Sequence, residues 1–356
     1  MHRHFASNLL NTSKLLIRLT ICGLLILLVG CDRQSSDNQF ANYADRLASV
    51  LEVSSPKAPD TRLPSLPEVS DTLQRTEDVR MGLIDAYELR KCGLFHLIAE
   101  RNSVLGKVQD RTRQLRYELL LLDGLGHCIA TLPEDDNVRA QLLQVQATKE
   151  DDLPKYLWNM LLTGEEWQKQ FKPAHAAFSL SNIPDATETM QAMSGLAHIA
   201  SQISAQHSVS AQSAERLLSY EENIHTSRYL GQLFYSMVRA TDWLNTTTTL
   251  LNQNDTTVMC GPNRNQQKAN FLENVFYKFF VTDIQPYLAK LDARYQDIQP
   301  DLQTLFATPR RPAAVADYHS FYVNGDMYRQ FRDATLNHVS YWQTLFKRCG
   351  IKVGQP

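Results

Sequence analysis

No stretch of this 356-residue chain is apolar for long enough to cross a bilayer. The apolar run Leu19 to Val29 holds 11 residues, where a spanning helix needs about 20. Glycine and proline are scarce, 14 of each, which excludes collagen-like and linker-dominated sequence. Neither sign of charge dominates: 36 Lys+Arg face 38 Asp+Glu, and a dedicated nucleic-acid binder would be markedly basic. Signatures of catalysis and nucleotide binding are missing too. There is no Gly-x-Ser-x-Gly elbow, no Gly-x-Gly-x-x-Gly loop and no Walker sequence. No Cys-x-x-Cys spacing marks a zinc or dithiol site. What is plentiful is apolar sequence, 43% of the chain, so the chain is not disordered and can bury a sizeable core.

The first thirty residues carry Arg3, Lys14 and Arg18 and no acid, then the short apolar run, then Gly30 and Cys31. A positive flank, a brief apolar stretch and a small residue before a cut make a secretory signal. Leu28-Val29-Gly30-Cys31 resembles the lipobox of bacterial lipoproteins. That resemblance implies lipidation of Cys31 and cleavage before it, leaving a body tethered to a membrane through acyl chains. Asp32 follows directly and resembles the signal that keeps such proteins at the inner membrane. Loss of residues 1–30 removes three basic residues and no acid, so the formal charge moves from −2 to −5. The reading is thus a periplasm-facing, lipid-anchored protein that binds no nucleic acid.

Six cysteines are present. Cys22 leaves with the signal and Cys31 takes the lipid, so Cys92, Cys128, Cys260 and Cys349 remain, in a compartment that favours disulfides. Four cysteines allow three pairings. If the chain turns near Gln109–Arg111, antiparallel helices bring Cys92 and Cys128 to the same height. Cys260 precedes one long helical pattern and Cys349 ends the next, with Thr308-Pro309-Arg310-Arg311-Pro312 as the turn between them. The expected pairs are Cys92–Cys128 and Cys260–Cys349.

Residues 32–38 read as a polar tether and Phe40–Leu51 as a short helix. Pro56, Pro59, Pro64 and Pro67 make Ser54–Thr72 a linker or an extended strap. Beyond it apolar residues recur at three and four: Leu230 to Leu244, Leu272 to Leu305, Phe331 to Phe346, and Leu115 to Ile129 with Ile84, Tyr87, Phe95 and Ile98 on its predecessor. Pro286 and Pro300 should kink the longest of these. Trp158, Trp167, Trp243 and Trp342 fall in the apolar patterns and read as core. The threonine cluster Thr246–Thr249 closes a helix and reads as solvated or bonded to preceding carbonyls. The expected fold is all-α, long antiparallel helical hairpins forming a bundle-like body braced by two disulfides. Its divisions are a signal at 1–30, the lipidated cysteine, tether, helix and strap at 31–72, and an all-α domain at 73–356.

Two constellations carry possible chemistry. Glu222 and His225 are three apart on a helix, with Glu221 beside them, so they could share one face toward a metal. No second Glu-x-x-His completes a di-metal pattern, and such pairs also arise on solvated faces; His96 and Glu100 are discounted on the same ground. Arg113 and Arg116, with Arg111 before them and Arg101 upstream, are candidates for holding an anionic ligand, although arginines near a helix start more often pair with neighbouring acids. No catalytic residue and no cofactor is indicated.

Lys91-Cys92-Gly93-Leu94-Phe95, Ile98-Ala99-Glu100-Arg101-Asn102-Ser103, Leu105-Gly106-Lys107-Val108, Leu115-Arg116-Tyr117-Glu118 and the terminal Trp342…Arg348-Cys349-Gly350 together resemble a family of Gram-negative lipoproteins of unknown function, number 3080. The resemblance covers nearly the whole mature chain. It implies a lipidated, helical envelope protein and supplies no catalytic residue. The polar block Glu100–Ser103 is expected to be a buried network fixing helix register. The function expected is a non-enzymatic binding or scaffold protein, its partner another envelope protein or a cell-wall component. The alternative is a periplasmic enzyme or metal-binding protein using Glu221, Glu222 and His225.

Overall fold

Ser35 holds extended geometry and accepts the Asn38 N–H on its hydroxyl at 3.3 Å, which starts helix α1 (Ser36–Leu51). Phe40, Tyr43, Ala44, Leu47, Ala48 and Leu51 form its buried face, the spacing of a helix that lies on a core. The computed structural model describes residues 35–57, 62–77, 89–103, 108–261 and 263–352; Cys31, Asp32, Pro59, Ile84 and Tyr87 lie outside these. The helix takes in the last three residues of the segment expected to be a tether. The reason is Asp37. Its carboxylate sits in the first turn, where the helix dipole favours an anion, and accepts from Arg239 Nε and Trp243 Nε1 at 2.8 Å each.

From residue 62 onward the proline-rich stretch is held to the body. Leu66 is buried, and the Pro64 carbonyl accepts from the Tyr322 hydroxyl at 2.9 Å. After one helical turn, α2 (Val69–Thr72), the Asn159 side chain clamps the Gln74 backbone, its Oδ1 accepting the N–H and its Nδ2 donating to the carbonyl, both at 2.8 Å.

A 3₁₀ turn at Leu89–Cys92 leads into α3 (Leu94–Asn102), and α4 (Arg111–Thr131) returns beside it. Numbers fall on α4 as they rise on α3. Cys92 is bonded to Cys128 with Cα atoms 5.2 Å apart, Leu94 lies against Gly124, and the Arg101 guanidinium sits 5.7 Å from the Tyr117 ring centroid. That is the antiparallel pair turning near residue 109 that the cysteine spacing predicts. Gly124 lets α3 approach closely: a side-chain carbon there would force the Leu94 side chain to move. The block Glu100–Ser103 departs from expectation: Glu100, Asn102 and Ser103 are exposed and Arg101 is half-buried. The helix ends at Asn102, so the block caps a surface end and has no core around it.

α5 (Asn137–Thr163) runs back along α4. Between them Lys149 Nζ lies 3.0 Å from Glu118 Oε2, both side chains buried. The sequence pattern gave no sign of this pair. α6 (Glu165–Phe171), α7 (Thr187–Ser204), α8 (Ala211–Ile224) and α9 (Tyr229–Gln253) follow. Trp158, Trp167, Trp243 and Trp342 are all buried, as expected. A second, smaller apolar cluster of Leu89, Leu94, Ile98, Leu121, Leu125, Ile129 and Leu142 is stapled by Cys92–Cys128.

The longest apolar stripe is one helical path in three pieces: α10 (Gln267–Val275), a π-helical segment (Phe276–Ile284) and α11 (Gln285–Phe306). The wide segment ends two residues before Pro286. A proline clashes with the carbonyl four residues back in α geometry, and here the Gln285 N–H already reaches back five residues to Phe280. Pro300 lies inside α11 without ending it. After the turn at residues 308–312 comes a short helical segment that the sequence reading did not foresee: a 3₁₀ turn, α12 (Ala316–Tyr318), and five π-helical residues (His319–Val323) burying Tyr318 and Tyr322. α13 (Asp326–Cys349) then returns antiparallel. Tyr328 stacks on Tyr295, Arg332 pairs with Asp292 at 3.1 Å, and Trp342 and Phe346 meet Phe276. At the end of this register Cys349 bonds to Cys260, with Cα atoms 4.8 Å apart. No strand occurs among the described residues. The fold is all-α, built of antiparallel hairpins and braced by two disulfides.

Non-reducing peptide mapping should recover these same two pairs. Replacing both cysteines of either pair with alanine should lower unfolding free energy by about 2–5 kcal/mol in urea titration. No loss from either change would show that the loops are closed equally well by packing alone.

His338 joins three helices in the interior. Its Nε2 lies 2.9 Å from the Tyr43 hydroxyl of α1 and 3.1 Å from Trp342 Nε1. Its Nδ1 lies 2.8 Å from Thr248 Oγ1 of α9. An indole N–H only donates, so Nε2 accepts and the proton sits on Nδ1. Full burial pushes the ring down to about 3, because a charged imidazole has no solvation there. The folded pKa is below the unfolded value of about 6.5, so at acidic pH the unfolded chain takes up a proton that the folded chain refuses. Stability on this account is full above pH 6.5 and falls as pH drops toward 3. Between pH 6.5 and 5 the loss is about 2 kcal/mol. In His338→Gln that part of the pH dependence should vanish, as read by urea unfolding at the two pH values; an unchanged slope would place the acid sensitivity elsewhere.

Candidate functional site

Asp110 caps α4, its Oδ1 accepting the Arg113 N–H at 2.8 Å, and its carboxylate also pairs with the Arg113 guanidinium. The helix start therefore ties down the arginine that follows it. Two residues further the chain turns Thr112 inward, fully buried, and its hydroxyl donates to Glu221 Oε1 of α8 at 2.6 Å. One turn on, Arg116 makes a two-pronged contact with Glu215 of α8, at 2.8 and 2.6 Å. Together these polar links pin α8 antiparallel to α4.

Where α4, α6 and the end of α8 meet, an open cleft of about 1010 Å³ forms, lined by Asp110, Arg111, Arg113, Glu165, Glu166, Glu221, Glu222 and His225 among others. Two candidate sets that the sequence left separate meet here, since Arg113 faces the same space as Glu221, Glu222 and His225. Arg101 and Arg116 do not join them: Arg101 is over Tyr117 and Arg116 is on Glu215. His225 caps the C-terminal end of α8 and its Nδ1 lies 3.0 Å from Glu166 Oε1. Glu166 in turn accepts from Lys169 at 3.1 Å. Sequence reasoning missed both Thr112 and Glu166. No spacing rule links Glu166 to a histidine 59 residues later, and only the docking of α6 against α8 does so.

Burial pushes the Glu221 carboxyl above its ordinary value, and the negative charges of Asp110 and Glu166 push the same way. The hydrogen bond from Thr112 and the charge of Arg113 oppose them. Among the described residues no group of three or more His, Cys, Asp or Glu side chains is arranged to hold a metal ion. Glu222 is exposed. Among the described residues five carboxylates line the cleft against two guanidinium groups, and Asp110 is paired with Arg113 while Glu165 and Glu166 are paired with Lys169. Arg310 and Arg311 form the turn expected of them: Arg310 pairs with Asp151, and Arg311 donates to the Phe306 carbonyl at 2.9 Å.

The model of the family described as Protein of unknown function (DUF3080) matches residues 40–353. The chain belongs to this family. The match runs from inside the first helix, Ser36–Leu51, to just past the second disulfide, and takes in every later element described above. No curated protein and no solved structure matches the chain. Among the described residues no helix is long and apolar enough to cross a membrane.

A raised carboxyl costs the folded state at neutral pH and costs nothing once both states are protonated. Glu221→Gln keeps an acceptor for Thr112 and removes the charge. It should raise stability at pH 7 by about 0.5 kcal/mol, a small value because the side chain is only half-buried. The gain should disappear below about pH 4. A loss at pH 7 would mean that the charge itself is needed to hold α8 on α4.

Proposed function

We propose that this protein is a lipid-anchored, periplasm-facing protein of the cell envelope that binds or scaffolds rather than catalyses. The observation that carries this reading is Leu28-Val29-Gly30-Cys31 behind a basic flank and a short apolar run. The body fits such a life. Its four remaining cysteines are paired, the chemistry of an oxidising compartment. Cys31 stands five residues before Ser36, where α1 begins. At no more than about 3.5 Å per residue, the lipid would hold the body within roughly 17 Å of the bilayer surface. Asp32 favours retention at the inner membrane. In the cleft, Glu221, Glu166, Arg113 and His225 are engaged with one another's neighbours, which suits a rigid binding surface more than a poised nucleophile or base. The partner class is another envelope protein or a cell-wall component.

Cells expressing the protein and fed labelled palmitate should yield labelled protein, and Cys31→Ser should yield none. A Cys31→Ser protein that still takes label would sink the anchor reading. Asp32→Ser should move protein from the inner to the outer membrane fraction; unchanged fractionation removes the sorting argument only.

A further inference from the structure

The threonine cluster of α9 belongs to a larger arrangement. Asn245, Thr248, Thr249 and Asn252 recur at three, four and seven along α9, and across from them Asn337, Ser340, Tyr341 and Thr344 repeat the same spacing along α13. In a packed helix pair that stripe is ordinarily apolar. Here both stripes are uncharged and polar, and the seam opens into a trough of about 560 Å³. A second depression of about 370 Å³ shares Asn245 and Thr249 and continues along the polar side of α9 to Gln253. Consecutive threonines are poor helix formers, so local helix stability does not explain the run at Thr246–Thr249.

The chemistry of the lining is narrow. Among the described residues no Lys or Arg lines the trough, and the one charged residue there, Asp255, is already held by Arg348 and accepts from the Tyr341 hydroxyl at 3.2 Å. Leu345 and the ring of Tyr341, both buried, lie beneath the polar stripes. The exposed side chains of Asn245, Thr249, Asn252 and Asn337 hold no protein partner among the described residues. Thr248 is fixed from below, its hydroxyl donating to the Leu244 carbonyl at 2.6 Å and meeting His338 Nδ1 at 2.8 Å. Amides and hydroxyls each donate and accept, as every sugar hydroxyl does. Seven residues of helix span about 10 Å, the length of two sugar rings.

We propose that the trough between α9 and α13 is a binding site for a neutral saccharide of about two rings, its hydroxyls bonded by the asparagine and threonine stripes. This names a chemical class for the cell-wall arm of the preceding reading and rests on that reading only for the source of the sugar.

The test is calorimetric titration of the full-length protein, in a detergent without a sugar headgroup, with N,N′-diacetylchitobiose and with cellobiose. At least one should bind with a Kd of about 1 mM or tighter. Asn252→Ala combined with Asn337→Ala should weaken it at least tenfold with the thermal midpoint unchanged, and Ser340→Lys, which puts a bulky cation on the rim, should do the same. Glucose 1-phosphate should bind no better than glucose. The proposal is overturned by absence of binding for both disaccharides at about 10 mM, by affinity untouched in both variants, or by preference for the phosphorylated sugar. Palmitate labelling at Cys31 is read separately, so failure here and failure of the anchor are distinguishable.

Discussion

An uncharged imidazole with no access to water organises the interior. His338 can stay buried only while both ring nitrogens are satisfied, since an orphaned polar group at that depth costs more than its hydrogen bond returns. Satisfying them fixes Tyr43 of α1, Trp342 of α13 and Thr248 of α9 relative to one another. Around that point the rings of Phe280, Tyr43 and Trp342 close at 4.8 to 6.2 Å from the imidazole. The same contact reaches the surface, because Thr248 is also a wall of the trough between α9 and α13. The binding surface proposed there is therefore set by the core beneath it.

Polar cross-links repeat this logic elsewhere. Glu118 and Lys149 are buried between α4 and α5, Thr112 and Arg116 fasten α4 to α8, and Asp37 fastens α1 to α9. Apolar packing alone tolerates sliding of one helix along another. A buried ion pair does not, because breaking it leaves an unpaired charge at a cost of about 3–5 kcal/mol. The two disulfides fix other registers, the turn before α3 on α4 and the segment before α10 on the end of α13.

Much of this was legible in the residues. Helical periodicity marked α4, α9, the α10–α11 path and α13, and counting residues about a turn paired the cysteines correctly, because rise per residue in a helix is fixed. The π-helical turn before Pro286 was not legible: periodicity reports which residues are buried, and says nothing of whether an amide bonds the carbonyl four or five residues back. The block at Glu100–Ser103 misled because polar residues near an apolar stripe look interior until the helix is known to end at Asn102. In the candidate cleft, the three-residue spacing of Glu222 and His225 was visible, whereas Glu166, which lies against His225, was not.

The sequence by itself determined the all-α class, the disulfide partners and the tryptophan core, since each follows from spacing along the chain, and its quoted segments carried the resemblance to the family. Tertiary structure decided the rest. It separated Arg101, Arg113 and Arg116 into three unrelated contacts, brought Arg113 to the carboxylates of α8, and set two polar stripes 92 positions apart face to face. A stripe of asparagine and threonine on one helix reads as a wet surface. Only the helix packed opposite, through the neutral hydrogen bonds of His338, makes it the wall of a site.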